Sequence, residues 1–347
     1  MKARIIILIL LLLIIGGGFF GFTYVKSLDK AYDPSIKETS IVEIPMGSGT
    51  GDIADILVDN GIIKDNFKFK LFSKLNKYDG NYVAGTYALS PSMTAKEICE
   101  MLTGGEVLNV RFTIPEGYTI WDIIETLSSN NIANKDILQE IIVKGDFKEE
   151  FPFLKDVPQG AEALEGYLFP DTYILPYGST EEDMVRAMLT RFQDLYDEEL
   201  KNLMANTDMS LHEIMTIASI IEKETMLLED KPLVSSVIYN RLYDGMKLRM
   251  DTTVIYAMRE NKVDLTYDDI EIESPYNTYL VDALPIGPIC CPGLDSIRAA
   301  LNPADTDYFY FVVSDKGDGS IKFSSDDEEF ERDKEAYYAS REENEEG

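Results

Sequence analysis

Residues 218–225 read Ala-Ser-Ile-Ile-Glu-Lys-Glu-Thr, three charges set into an otherwise apolar run. Ser210 and Glu213 have the spacing of a capping box, so the sequence predicts a helix from Leu211 to about Leu227. At about 100° per residue, with Ala218 at zero, Leu211, Ile214, Met215, Ile221 and Thr225 fall within roughly 60° and form the face expected to be buried. Glu222 lies about 40° from the centre of that face, whereas Lys223 and Glu224 fall at about 140° and about −120°, toward the flank or solvent. Only Glu222 is expected to point inward. A carboxylate in an apolar stripe must be paired or resist ionisation, because burial disfavours the charged form. A carboxyl that holds its proton at neutral pH is what a general acid requires. The alternative is a structural glutamate paired with an arginine such as Arg241 or Arg249.

Three flanking stretches carry further polar and aromatic groups. LEGYLFPDTYILP (164–176) presents Glu165, Tyr167 and Asp171 around a proline-limited loop. VIYNRLYDGMKLRMDTTVIYA (237–257) holds Tyr239, Asn240, Asp251 and Thr253, and SPYNTYLVDALPIGPICCPG (274–293) holds Tyr276, Asn277, Tyr279, Pro285 and Gly287. Tyrosines interleaved with Asn, Asp and Thr suit a sugar site, where rings stack on the carbohydrate and polar groups bond its hydroxyls and acetamides. The plainer account is that Pro285, Gly287, Pro288, Pro292 and Gly293 fix a turn-rich loop and that Asp251 caps a helix.

Composition narrows the classes. The 347 residues suggest two domains plus extras. Residues 5–25 carry no charge and have the length of a membrane-spanning helix, rather than of a cleaved signal peptide. Lys2 and Arg4 precede this run, which favours a cytoplasmic N-terminus and an extracytoplasmic remainder: a single-pass protein of the cell membrane. A net charge of −30 argues against nucleic acid and anionic headgroups as partners. Residues 326–346 form an acidic run expected to be a solvated helix end that frays. Cys99, Cys290 and Cys291 have no metal-ligand spacing, so neither a metal site nor a disulfide framework is expected. His212, the only histidine, sits in the first turn of the predicted helix and is expected at the surface.

The chain also repeats itself. IPMGSGTGDIADILVDNGI from Ile44 and IPEGYTIWDIIETLSSNNI from Ile114 align without gaps, each reading as strand, glycine turn and helix ended by asparagine. Between them a second strand (86–89) precedes a helix that Ser92 or Thr94 could cap and Gly104 end, giving a small βααβ-like unit over 40–108. The remainder mixes helices with short strands such as 308–314 and 321–324, an α+β pattern. The expected divisions are 1–29 (N-terminus and anchor), 30–108 (small module), 109–337 (main domain) and 338–347 (acidic tail).

In combination, LEGYLFPDTY, ASIIEKET, YNRL, the D-x-T-V-I-Y stretch, YNTY and LPIGPIC-x-PG resemble the YceG-like family of membrane-bound endolytic murein transglycosylases, in the order expected of it. The resemblance covers nearly the whole chain after the anchor. It implies that Glu222 is the catalytic acid/base, that 40–108 is LysM-like, that the substrate is the peptidoglycan glycan strand, and that no cofactor is needed. It also implies wall-synthesis proteins as partners. The family pattern is broken by Thr252 where proline is usual, Met250 where a small polar residue is common, Cys291 where asparagine is common, and the absence of a histidine in SIKFSSDDEEF. Two other functions stay open: a hydrolytic muramidase with Glu165 or Asp171 as second carboxylate, and a non-catalytic wall-binding or structural membrane protein.

Overall fold

The computed structural model describes residues 2–260, 262, 264–316 and 318–346, and for residues 2–10, 12–14 and 342–346 the backbone alone. The chain forms two compact units, Met1–Val110 with Ile174–Ser179, and Arg111–Tyr173 with Thr180–Gly347.

The first unit opens with helix α1 (Lys2–Leu28), followed by β1 (Ser40–Ile44), α2 (Thr50–Asp59), α3 (Asn66–Leu75), β2 (Gly85–Leu89) and α4 (Ala95–Gly104). α1 contains the apolar run 5–25, whose side chains at 5–10 and 12–14 lie outside the described residues. Among the described residues no helix is long and apolar enough to cross a membrane. β1 and β2 pair antiparallel from Ser40↔Leu89 to Ile44↔Gly85. The two-residue period of a strand turns Val42, Ile44, Tyr87 and Leu89 inward onto Ile53, Leu57, Phe69, Ile98 and Leu102, all buried. α4 is capped by Thr94 and Glu97 and ends at the expected Gly104, with Gly105 taking the left-handed conformation of the C-cap.

The second unit repeats the opening theme: β3 (Asn109–Thr113), α5 (Ile120–Ser129) and α6 (Lys135–Lys144), then β4 (Thr172–Pro176), the neighbour of β3. The chain passes from one unit to the other within each of these two strands. In both copies of the repeat a glycine at positive φ makes the turn (Gly47, +83°; Gly117, +76°) and an asparagine, Asn60 or Asn130, closes the helix. The remaining helices are α7 (Glu181–Leu195), α8 (Lys201–Leu203), α9 (Leu211–Glu224), α10 (Lys231–Tyr243), α11 (Asp251–Met258), α12 (Tyr267–Ile270), α13 (Leu294–Leu301) and α14 (Asp327–Glu346). Strands β5 (Tyr310–Val313) and β6 (Ile321–Ser324) pair antiparallel. The architecture is α+β, with three separate two-stranded sheets among many helices in the described residues.

Two expectations are corrected. α9 stops at Glu224, short of Leu227, because Thr225 turns extended and its hydroxyl accepts the Leu227 N–H, replacing a helical bond with a local one. The acidic run is helical through Glu346 instead of frayed, helped by aromatic packing of Phe330 on Tyr310 and by ion pairing of Arg341 with Asp264.

Gly85 tests the first unit. Its φ is +147°, and a Cβ would lie 2.3 Å from Val107 Cγ1. Gly85→Ala is expected to cost about 2–4 kcal/mol in urea denaturation followed by circular dichroism. The helical Gly51, with nothing within 4 Å of an added Cβ, serves as the control, and Gly51→Ala should be neutral or stabilising.

Candidate active site

Glu222 lies in the last turn of α9 with its side chain 10% exposed, in the second unit. Its Oε2 accepts three hydrogen bonds: from Lys231 Nζ (3.2 Å), from Ser296 Oγ (2.5 Å) and from the Gly293 N–H (3.1 Å). Lys231 Nζ also donates to Ser296 Oγ (2.8 Å). Gly293 is the N-cap of α13 and Ser296 is in that helix's first turn, so the carboxylate sits where unsatisfied N–H groups and the helix dipole favour negative charge. Lys231, its side chain 5% exposed, opens α10 and neutralises the carboxylate inside the protein. Oε1 takes no hydrogen bond among the described residues.

Two loops frame this group. The turn after β3 is tied to the 285–293 loop by Gly117 N–H to Cys291 O (2.9 Å) and Cys291 N–H to Tyr118 O (2.8 Å). Lys223 Nζ donates to Gly117 O (3.1 Å). Ser219, one turn before Glu222, holds the same loop by accepting the Ile289 N–H (3.0 Å). The absent side chain of Gly117 matters here, since a Cβ would lie 3.7 Å from Glu222 Cγ. The neighbouring Glu116 extends its carboxyl over the backbone of Gly293. Partial burial, then the charge of Glu222, push the Glu116 carboxyl above its usual range, against the pull of Lys231.

The other residues singled out from the sequence are placed elsewhere or serve the scaffold. Glu165 is fully buried; both its oxygens face the Ile120 N–H at the start of α5 (3.3 and 3.2 Å), and Tyr256 donates to it at 2.9 Å. Burial pushes it up to about 8, opposed by those hydrogen bonds. Tyr167 is core, stacked on Phe153 with its hydroxyl 3.1 Å from His212 Nδ1. Asp171 pairs with Arg191 (2.8 Å), which holds its carboxyl below the usual range. Tyr239 donates to Ala300 O, and Asn240 donates to Thr306 O and Tyr308 O. Thr253 donates to Met250 O, and Asn277 donates to Ile270 O and Ile272 O. Tyr276 accepts the Glu162 N–H. Tyr279 donates to Asp251 at 2.5 Å, beside Thr252, which donates to Glu224. Pro285 is buried, and Gly287 packs on the His212 ring.

Three readings change accordingly. The partner of Glu222 is Lys231; Arg241 instead donates to Phe309 O and Leu248 O. Glu224 is not turned to solvent but lodged against Thr252, and burial pushes it up to about 7. His212 is buried, with Nε2 2.8 Å from Ile286 O, and burial holds it below the usual imidazole range. Lys231, Ser296 and Glu116 were not singled out in the sequence, and Gly293 was read only as part of a turn-rich loop. For Glu116 a signal was present, since the two repeats differ at the third position of Ile-Pro-x-Gly, methionine in one and glutamate in the other. Among the described residues no cluster of His, Cys, Asp or Glu is arranged to hold a metal.

The chain belongs to the YceG-like family, whose profile matches residues 42–336. Among its relatives, the endolytic murein transglycosylase of Bacillus subtilis (strain 168) is 36% identical over 340 residues, covering 93% of this chain and 91% of that protein. The endolytic murein transglycosylase of Streptococcus pneumoniae (strain ATCC BAA-255 / R6) is 31% identical over 342 residues, covering 90% of this chain and 61% of that protein. The crystal structure of a yceG-like protein from Listeria monocytogenes matches with a TM-score of 0.59 at 34% identity, covering 85% of this chain and 99% of that one.

Glu165 gives a pH signature separate from catalysis. Its folded value, about 8, lies above the ordinary 4.5, so the folded state holds a proton that the unfolded state has lost between these values. Its contribution is therefore fully present below about 4.5 and lost as pH rises toward about 8. Glu165→Gln keeps the shape and removes this loss. The gain in melting temperature of the variant over wild type is expected to grow from pH 5 to pH 8; a pH-independent difference would contradict the buried, proton-holding carboxyl.

Proposed function

We propose that the chain is an endolytic murein transglycosylase, a lyase that cuts peptidoglycan glycan strands internally between N-acetylmuramic acid and N-acetylglucosamine. The observation that carries this reading is Glu222, whose Oε2 is fixed by three donors while Oε1 stays free, at the position of the family motif Glu-Lys-Glu-Thr. The relatives' names support the substrate class.

In this mechanism Glu222 Oε1 gives its proton to the glycosidic oxygen as the C1–O bond breaks and the electron pair leaves with the N-acetylglucosamine oxygen. The carboxylate, held by Lys231 and Ser296, then takes the proton of the muramoyl 6-hydroxyl, whose oxygen closes onto C1 to give a 1,6-anhydro end. One carboxylate suffices because the nucleophile belongs to the substrate, and the intramolecular attack gains from proximity. The hydrolytic reading with Glu165 or Asp171 is opposed by their positions, one sealed in the core and the other bound to Arg191.

The same reading makes residues 5–25 a membrane anchor with the catalytic part outside the cell membrane. It makes the β1–α2–α3–β2 unit a LysM-like glycan-binding module, and it divides the chain at about residues 29, 108 and 337. Wall-synthesis enzymes are the expected protein partners, because an enzyme that ends strands acts where strands are made.

Mass spectrometry of peptidoglycan after incubation with the full chain tests the activity. Wild type is expected to release anhydro-muramoyl ends, and Glu222→Gln to lower their rate of formation by about 10²–10⁴-fold. Reducing ends instead of anhydro ends would establish a hydrolase, and glycan binding without cleavage would leave a scaffold.

A further inference from the structure

We propose that Glu116 is a second catalytic carboxylate, facing the sugar across Gly293 from Glu222 and stabilising the positive charge that develops at C1. This rests on the transglycosylase reading and goes beyond it, since that mechanism asks only one carboxylate to act.

The geometry of Gly293 carries the argument. Its φ and ψ, −73° and 166°, are open to any residue, so glycine is not needed there for backbone conformation. As the N-cap of α13 the position would favour serine, aspartate or asparagine, and a capping side chain is worth about 1 kcal/mol. An added Cβ would lie 2.2 Å from Glu116 Cδ and Oε1 and 2.6 Å from Oε2, so any side chain there would push the Glu116 carboxyl off its place over Gly293. The backbone is bare where the Glu116 carboxyl rests on it. On that same residue, the N–H donates to Glu222 Oε2 (3.1 Å). Two carboxylates therefore flank a single residue, within about 8 Å of each other by ordinary bond lengths.

Glu116 is not tied into the scaffold. It is exposed, and among the described residues it has neither a hydrogen bond nor an ion pair. Its backbone, by contrast, is held in place through Gly117 on Cys291 and Lys223. A fixed backbone with an unengaged carboxylate beside the proton donor is the arrangement expected of a group reserved for substrate. The charged groups acting on it are Glu222 and Asp295, which repel its charge, and Lys231, which favours it. When Glu222 gives up its proton and the C1–O bond breaks, the sugar passes through an oxocarbenium-like state. An ionised Glu116 lowers the energy of that charge, and it forms no bond. The step then ends as before, with the 6-hydroxyl oxygen bonding to C1 and its proton passing to Glu222.

The test compares full-length wild type, Glu116→Gln, Glu116→Asp and Glu222→Gln on polymeric peptidoglycan across pH. Glu116→Gln is expected to lower kcat by about a hundredfold with KM within about twofold, the scale of losing one preorganised electrostatic contact. Its melting temperature should match wild type, since among the described residues the carboxyl has no hydrogen bond or ion pair to lose and glutamine has the same shape. Wild-type activity should fall at low pH as Glu116 takes a proton; that acid limb should vanish in Glu116→Gln and return in Glu116→Asp with part of the rate. An active wild type, an inactive Glu222→Gln and a Glu116→Gln enzyme with wild-type rate and pH profile would overturn this proposal alone. A wild type without anhydro products, or an active Glu222→Gln, would overturn the transglycosylase reading and this proposal with it.

Discussion

The buried pair of Glu222 and Lys231 organises the site. Two charges removed from water are tolerated only when each is met by the other and by further hydrogen bonds, and here Ser296 and the Gly293 N–H complete the set. That requirement draws three elements together: the end of α9, the start of α10 and the start of α13. The chain that joins them has little freedom, since a buried charge without its partner costs about 3–5 kcal/mol. The result is a carboxylate with one oxygen locked and one available, a chemical asymmetry produced by packing.

Much of the candidate site follows from α9, and so do the errors. A wheel works when a helix has one wet face, and it placed Glu222 correctly on the inner side. α9, however, is buried at every position from Ile214 to Ile221 and again at Leu211 and His212. A helix enclosed by neighbours has no solvent side to which Glu224 or His212 could be assigned. Apolar periodicity cannot reveal such a surround when the main packing partner is α13, distant in sequence. For the same reason Lys231 was passed over: it lies beyond a turn, in a different helix, where no spacing rule applies.

The polar and aromatic residues of the flanking stretches show a second limit. Asn and Thr residues with tyrosines are the composition of a sugar cleft, but also of long irregular segments that must satisfy their own backbone. Asn240, Asn277 and Thr253 all donate to main-chain carbonyls. Residues 244–293 contain only short helices, and the carbonyls left over need donors. Composition reads these two uses identically, and only geometry separates them. The strands, caps and turn glycines are governed by local chemistry and are therefore legible in the sequence: Thr94 caps α4, Ser210 caps α9, and both asparagine stops end their helices.

The internal repeat shows how little of a scaffold must change for chemistry to appear on it. In both copies an aspartate in the helix's first turn accepts the N–H of the N-cap residue at 2.9 Å, Asp52 for Gly49 and Asp122 for Thr119. Both turns use a glycine at nearly the same φ. The third residue of the motif is left outside this framework: Met46 is 94% exposed in the first copy, and Glu116 is exposed in the second. A position that neither caps a helix nor fills a core is free to vary without loss of fold. The turn that exposes a methionine in one unit delivers, by one substitution of side chain, a carboxylate to the edge of Gly293 in the other. The stability of the repeat is thereby uncoupled from the chemistry at its tip, and a stable strand–turn–helix can serve as the mount for a reactive group.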